Sequence, residues 1–379
     1  MSPIRISPVS FLRLCTEVAS FYGFLSVREM ARGLGRAGFG APSFSVATQL
    51  CAARAEAQPT EPALAFYATP SPDHLPRGVS TREAGEFGLY AAGGHESAGE
   101  LVILKTISAI ADEWGSAVAR VRLNALGDRE SRERFVRELS SHFRRQAVVV
   151  DPACRGALAR DPIAHRCEHE TCRAAFTEGP RSVTFLSEKS RSHFKAVLEQ
   201  IEGLGFSYEI DDSLLGDERG QHIIFAIDFA KPDATVVGTL GGRYDDHIKR
   251  VVTRKEGSAV SASIYFRKKG ASRATFSISP PARAPRVFFV QLGPLAKLQG
   301  LAVLDLLRRA RLPVSQSFDA SRLSPQLMAA GVTKVSHILI MGQREALDGT
   351  IIVRTVSNGS QETIELPRLP RFLKQLRAR

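Results

Sequence analysis

The chain has 379 residues, 44% apolar and 24% charged, a globular balance that excludes wholesale disorder. No stretch reaches the roughly 18 uninterrupted apolar residues that a membrane helix needs, so no membrane partner is expected. Lys and Arg outnumber Asp and Glu by 51 to 39, a net charge of +12 that favours a polyanionic partner such as nucleic acid.

The first 16 residues lack acids and carry two arginines, a composition compatible with a short targeting peptide. Helical periodicity nevertheless begins near Phe11, and the spacing predicts a helix over Pro8–Tyr22. Residues 54–80 are rich in Pro and Ala and read as loop with one short strand at Leu64–Ala68. A helix over Glu100–Trp114 carries Leu101, Leu104, Ile107, Ile110, Ala111 and Trp114 on one stripe. A strand at 119–126 and a helix at Glu130–Phe143 follow. Residues 144–182 mix charge, Cys and His with little periodicity. Ser187 caps a helix running to Leu204, with Gly205 just past its end. Strand-like runs at Phe206–Ile210, His222–Phe229, Ala234–Leu240 and Ser258–Phe266 suggest an antiparallel sheet, since only the short helix-like DDHIKRVV interrupts them.

Pro280, Pro281 and Pro285 end a linker over 270–285, because proline continues neither a helix nor a central strand. Beyond it the order is strand (287–292), helix (Pro294–Arg311), strand (314–318), helix (Ser324–Ala330), strand (337–341), a hairpin across Asn358-Gly359 and a last helix at Phe372–Leu376. This α/β unit, from 286 to 379, holds 14 Lys or Arg against six Asp or Glu, a net of +8. Most of the excess charge therefore sits in the last quarter.

Two clusters could carry chemistry. HRCEHETC holds His165, Cys167, His169 and Cys172, residue types that ligate zinc. Its Cys-x4-Cys spacing has no second pair nearby, and Cys154 is the only other thiol within reach. The expectation is a surface turn with unligated thiols and no metal, with Cys167, His169 and Cys172 as the candidates if one binds. Five cysteines without a secretory signal point to a reducing cytoplasm. LGGRYDD (240–246) ends a strand and opens a helix. Gly241 and Gly242 would let the backbone approach a ligand, and Arg243 and Tyr244 would read it; the alternative is a plain glycine turn. No Walker loop, HExxH, GxSxG or dinucleotide fingerprint is present.

LGGRYDD, together with LCTEVASFYGFLSV (14–27), RLNALGDRESRERFVREL (122–139), the segment 185–215 and the tail segment 318–366, resembles histidyl-tRNA synthetase in residues and in order. The resemblance runs from about residue 85 onward and is poor over 28–80. It implies an α+β protein: a class II synthetase-like antiparallel sheet flanked by helices (residues 1–280, with an insertion at about 129–186), the end of a linker (281–285), and a separate α/β anticodon-binding-like domain (286–379).

The departures are as informative. REAGEFGLYAAG (82–93) matches the family's second motif, which places its phosphate-gripping arginine at Pro72. The family's two histidine-reading residues become Glu86 and Tyr90. LGDERGQHIIFA (215–226) puts Leu215 at a catalytic arginine and Arg219 and Gly220 at two tyrosines. SASIYFRKK (261–269) puts Lys268, or Arg267 with a slip of one, at the adenine-stacking arginine, and Tyr265 at a glycine. Losing one preorganised cation costs about 3–4 kcal/mol of transition-state stabilisation, and two losses should abolish adenylate formation.

The resemblance therefore implies a non-catalytic paralogue that binds tRNA, other RNA or a protein partner, with Arg322, Lys334, Arg344, Arg354 and Arg371 as cations for RNA. An active histidine–tRNA ligase using ATP and Mg is the alternative, with Arg77, Arg82 or Arg219 replacing the lost cations. A regulatory subunit like that of ATP phosphoribosyltransferase is the third. The family also implies a homodimer.

Overall fold

The computed structural model describes residues 6–376 apart from 37, 39, 58–62, 77–78, 94–96, 164–168, 218, 231–234, 253–256, 278–286 and 317–322. The first half runs α1 (Pro8–Phe21), β1 (Leu25–Ser26), α2 (Val27–Gly33), α3 (Phe44–Ala57), β2 (Ala63–Thr69), β3 (Ala84–Ala92), α4 (Ala98–Glu113), β4 (Val118–Ala125), α5 (Arg129–Arg145), α6 (Arg155–Arg160) and α7 (Glu170–Thr177). Then come α8 (Glu188–Gly203), β5 (Tyr208–Ile210), β6 (Ile223–Phe229), β7 (Val236–Arg243), α9 (Asp245–Val252) and β8 (Ala259–Arg267). The tail unit comprises β9 (Val287–Gln291), α10 (Pro294–Arg309), β10 (Val314–Gln316), α11 (Leu323–Val332), β11 (His337–Met341), α12 (Gln343–Asp348), β12 (Thr350–Thr355), β13 (Gln361–Glu365) and α13 (Leu369–Leu376).

Local chemistry explains most of the boundaries. Ser7 accepts from Ser10 N and Pro8 occupies the first turn of α1. Asp128 accepts from Ser131 N at the start of α5, and Ser187 from Ser190 N at the start of α8. Those two caps are joined, because Ser187 Oγ also donates to Asp128 Oδ2 at 2.5 Å.

The strands form two sheets. The first has eight strands in the order β1-β2-β3-β8-β7-β6-β4-β5, antiparallel except at its two edge pairs. The second has the order β10-β9-β11-β12-β13, with a parallel start and an antiparallel hairpin. The expected α+β architecture is thus observed.

Alternation separates the faces of the large sheet. Phe66, Phe87, Leu89, Val260, Ile264 and Phe225 face α1, α4 and α8 in one apolar cluster. Ala65, Tyr67, Tyr90 and Ala259 face the other way, against Phe44, Ala47, Leu50 and Cys51 of α3. Two differences from the sequence expectation lie here. Residues 54–57 end α3 rather than forming loop, and residues 84–92 are a central strand. Only the last turn of α3 falls in the Pro- and Ala-rich run, where the following prolines, not the helix-favouring alanines, set the loop reading.

The tail unit is docked on the large sheet's helices. Its residues Phe289, Leu301, Leu304 and Leu339 belong to the same buried cluster as Phe11, Val18 and Ile110. The junction is also ionic. Arg308, only 1% exposed, donates through Nε to Asp305 Oδ1 at 2.9 Å and meets Asp112 at 3.2 Å and Glu113 at 2.5 Å on α4. Arg311 reaches Glu17 on α1 at 3.2 Å, and Tyr22 Oη donates to Asp305 at 3.3 Å. Of the expected linker, residues 273–277 form a short helical turn, and 278–286 lie outside the described residues.

Breaking a buried ion pair from one side costs about 3–5 kcal/mol, less when the orphaned acids can reach water. Asp112 is half exposed and Asp305 is not. Arg308→Met is therefore expected to destabilise the protein by about 2–3 kcal/mol in urea unfolding, just below that range. Burial works against the Asp305 carboxylate, but Arg308 holds its pKa below the usual range. That stabilisation is present above the ordinary carboxylate pKa and lost as pH falls through the depressed one, so the variant's deficit should shrink in acid.

Candidate functional site

The face of the large sheet turned toward α3 carries the residues that the sequence singles out. Cross-strand register sets Thr69, Glu86 and Tyr265 side by side, and next to them Tyr67, Gly88 and Ser263. Gly88 faces Tyr67, and a Cβ there would lie 2.2 Å from the Tyr67 ring. The tyrosine thus fills the space that glycine leaves.

Glu86 is buried among these groups, 6% exposed. Tyr67 Oη donates to its Oε1 at 2.7 Å and Ser263 Oγ donates to the same atom at 2.5 Å. Burial raises the Glu86 pKa, and the two hydroxyl donors only partly offset it.

Arg219 enters from the loop between β5 and β6. Its Nε donates to Asp217 Oδ2 at 2.9 Å, and its guanidinium lies 4.4 Å from the Phe44 ring centre and 4.9 Å from that of Tyr244. Burial opposes the Asp217 carboxylate, but the Arg219 contact holds its pKa down, and His74 Nδ1 lies 3.8 Å away. Gln221 ties the loop together: its Oε1 accepts from Asp217 N at 2.8 Å and its Nε2 donates to Tyr244 Oη at 3.2 Å. Tyr244 is buried, which pushes its hydroxyl up to about 12.

The glycine-rich element is built differently from its expected use. A Cβ at Gly241 would lie 2.6 Å from Phe225 and Ala262, and one at Gly242 would lie 2.7 Å from Gln221 and Ile223 O. Both glycines make room for the protein's own atoms. Arg243 pairs with Val260 on the opposite face of the sheet. There it meets Glu100 Oε1 at 3.0 Å and Asp245 Oδ2 at 2.8 Å. Burial would raise Glu100, but Arg243 and His193 bring it down to about 2. Of the six pocket candidates, Glu86, Tyr90, Tyr244 and Gly242 share one face; Gly241 and Arg243 belong to the other.

The three positions at which the family has arginines hold no free cation. Leu215 packs in an apolar cluster with Phe135, Leu139 and Ile224. Pro72 is buried in the β2–β3 loop. Lys268 donates to the carbonyls of Pro70 and Thr81. Arg267 faces Glu83 at 3.4 Å, Arg82 is exposed, and Arg77 lies outside the described residues. Sequence reasoning missed α3, Tyr67, Asp217 and Gln221. Only the paired Tyr67 and Gly88 carried a signal, a large side chain and an absent one whose register the chain order alone leaves open.

The tail cations are scattered. Lys334, before β11, and Arg354, near the end of β12, share one end of the second sheet, since β11 and β12 run antiparallel. Arg344 lies on α12 beyond the other end, 3.5 Å from Asp348. Arg371 is on α13, whose Leu369 and Leu373 join the cluster that docks the unit. Arg322 lies outside the described residues.

The thiols of the insertion are buried, contrary to the expected surface turn. Cys154 is 4% and Cys172 0% exposed, because both sit in the small core under α5. The ligand atoms of Cys154, His169 and Cys172 lie within 4.8 Å of one another; Cys167 and His165 lie outside the described residues. No disulfide joins the four described cysteines. Among the described residues, no helix is long and apolar enough to cross a membrane.

No family model matches the chain. It is similar to the histidine–tRNA ligase of Bacillus subtilis, 24% identical over 323 residues, 84% of this chain and 76% of the relative. It is also 25% identical over 294 residues to that of Thermosynechococcus vestitus, covering 76% and 67% of the two chains. Among solved structures, the apo Staphylococcus aureus histidyl-tRNA synthetase is 19% identical with a TM-score of 0.46, covering 94% of this chain and 93% of that one. An ATP phosphoribosyltransferase regulatory subunit/histidyl-tRNA synthetase from Bacillus halodurans C is 11% identical with a TM-score of 0.41, covering 88% and 94%.

Two outcomes are expected for this face. Glu86→Gln keeps an acceptor for Tyr67 and Ser263 and removes the ionisable group. The raised Glu86 pKa makes wild-type stability fall as pH rises above the ordinary carboxylate range and through it, so the variant's unfolding free energy should vary less with pH there. Gly88→Ala should cost about 1–3 kcal/mol in chemical unfolding, because the buried Tyr67 ring must be displaced.

Proposed function

We propose, for a chain that is histidyl-tRNA synthetase-like along most of its length, that it binds RNA without performing ligase chemistry. The observation that carries this reading is the occupation of the ligand face by the protein's own side chains. Tyr67 lies over Gly88, Glu86 is bonded by Tyr67 and Ser263, and Arg219 is held by Asp217.

Adenylate formation needs fixed cations at a triphosphate and an amino-acid pocket beside them. Among the described residues, the arginines buried in the large sheet are already neutralised. Drawing Arg219 to a phosphate would strand Asp217 in the interior, and drawing Arg243 away would strand Glu100. Glu86 Oε1 is already taken by the Tyr67 and Ser263 hydroxyls. ATP and Mg therefore have no role in this reading.

The RNA contact is proposed at the end of the second sheet that Lys334 and Arg354 share, beside the open strand face of β12 and β13. Gln361 and Thr363 stand exposed there. The rest of the basic tail contributes less than its net charge suggests, since Arg308, Arg309 and Arg311 are paired with acids.

Histidine-dependent exchange of pyrophosphate into ATP is the direct assay. No exchange above a protein-free control is expected, and robust exchange would sink the reading. Binding of bulk tRNA should be measurable at low salt and weaken as salt rises. The Lys334→Glu, Arg354→Glu double variant should reduce the log–log salt slope by about one for each phosphate no longer neutralised. Salt-insensitive or absent tRNA binding would instead leave a protein partner as the role of the tail.

A further inference from the structure

We infer that Cys154, His169 and Cys172 form a zinc site that staples the helical insertion. The three residues come from two separate stretches of chain, and the fold brings them together. Cys154 is the residue preceding α6, His169 is the residue preceding α7, and Cys172 lies in the first turn of α7.

The geometry is close to what the metal requires. Tetrahedral zinc with Zn–S near 2.3 Å and Zn–N near 2.0 Å separates its ligand atoms by about 3.5–3.8 Å. Cys154 Sγ and His169 Nδ1 are 3.3 Å apart, and all three ligand atoms fall within 4.8 Å. Shifts of about an ångström in side-chain position bring these three to ligating distances and leave the fourth tetrahedral position to water. Two thiolates and an imidazole select zinc over hard cations such as magnesium or calcium.

The surroundings fit a ligand set better than a chance contact. With Nδ1 directed at the thiols, the His169 Nε2 side faces Asp151 Oδ2 at 3.9 Å, too long for a hydrogen bond but on the side where the carboxylate partner of a metal-bound imidazole would sit. Asp151 is itself held in a tight turn, since its Oδ1 accepts from Ala153 N at 2.9 Å and its carbonyl accepts from Cys154 N at 2.9 Å. Binding displaces the two thiol protons.

The insertion also needs such a staple. α6 has six residues and α7 eight, and each gives the core under α5 a single large apolar side chain, Leu158 and Phe176, against Phe135, Leu139 and Phe143. A metal crosslink between the two helix starts closes the intervening loop, which apolar burial on this scale does poorly. The proposal is independent of the reading of the ligand face, since the site lies in the insertion and touches none of its residues.

The test uses the full chain, purified without a polyhistidine tag, in three measurements. Elemental analysis should find one zinc per chain, lost in Cys154→Ser and Cys172→Ser and kept in Cys51→Ala. Cobalt substitution of the wild-type protein should give a thiolate-to-metal charge-transfer band that reports sulfur ligation without any variant. Should the cysteine variants fail to fold, His169→Ala changes a half-exposed side chain and Asp151→Asn only the group that positions it. The histidine variant should lose the metal, and the Asp151 variant should bind about ten-fold more weakly or worse. Chelation should lower the melting temperature of the wild type, and added zinc should restore it. The inference is overturned if reduced wild-type protein takes up no zinc or cobalt, if the cysteine and histidine variants retain it, or if Cys154 and Cys172 are found as a disulfide that excludes metal.

Discussion

A guanidinium removed from water must be met by an anion, and in this molecule those anions come from the chain itself. Arg219 is met by Asp217, Arg243 by Glu100 and Asp245, and Arg308 by Asp305 and Glu113. Each pair is internal. A catalytic arginine in a nucleotide-binding site is only half neutralised until substrate arrives, and the unmet half is what grips phosphate. Here the large sheet's pairs are closed before any ligand enters, and opening one leaves a carboxylate in a low-dielectric interior, a penalty of about 3–5 kcal/mol.

The same completeness governs the sheet. One face is buried by α1, α4 and α8, as expected of an antiparallel sheet beside a helical layer. The second, which a ligand would use, is covered by α3 and by the aromatic rings of Tyr67, Tyr90 and Tyr244. Phe44 stands at the centre of that cover. Its ring is 5.5 Å from Tyr90, 4.9 Å from Tyr244 and 5.3 Å from His247, and the Arg219 guanidinium stacks on it. Aromatic packing and cation–π contact thus stabilise a lid built from the chain's own helix.

The tail unit shows how a charge count changes once partners are known. A net of +8 reads as a nucleic-acid surface when the unit is considered alone. Docking uses part of that excess internally, because Asp112 and Glu113 of α4 and Glu17 of α1 meet Arg308, Arg309 and Arg311. What remains for a polyanion is narrower: the end of the second sheet at Lys334 and Arg354, with the polar strand face beside it.

Much was legible in the sequence alone. The amphipathic stripes of α1 and α4, the Ser187 cap, the run of strands after α8 and the hairpin at Asn358-Gly359 are local properties, set by spacing and by turn chemistry within a few residues. The absence of arginine at Pro72 and Leu215 was equally visible, since it is a matter of residue identity. Tertiary structure alone decided the rest. Whether Arg243 faces the ligand side or α4 depends on strand register, and one residue of slip reverses it. That Gly88 makes room for Tyr67, that Arg219 finds Asp217 between aromatic rings, and that Cys154 meets His169 and Cys172 are contacts between segments brought together by burial of apolar surface far from them. Such burial is non-directional and leaves no periodic trace at the residues it unites.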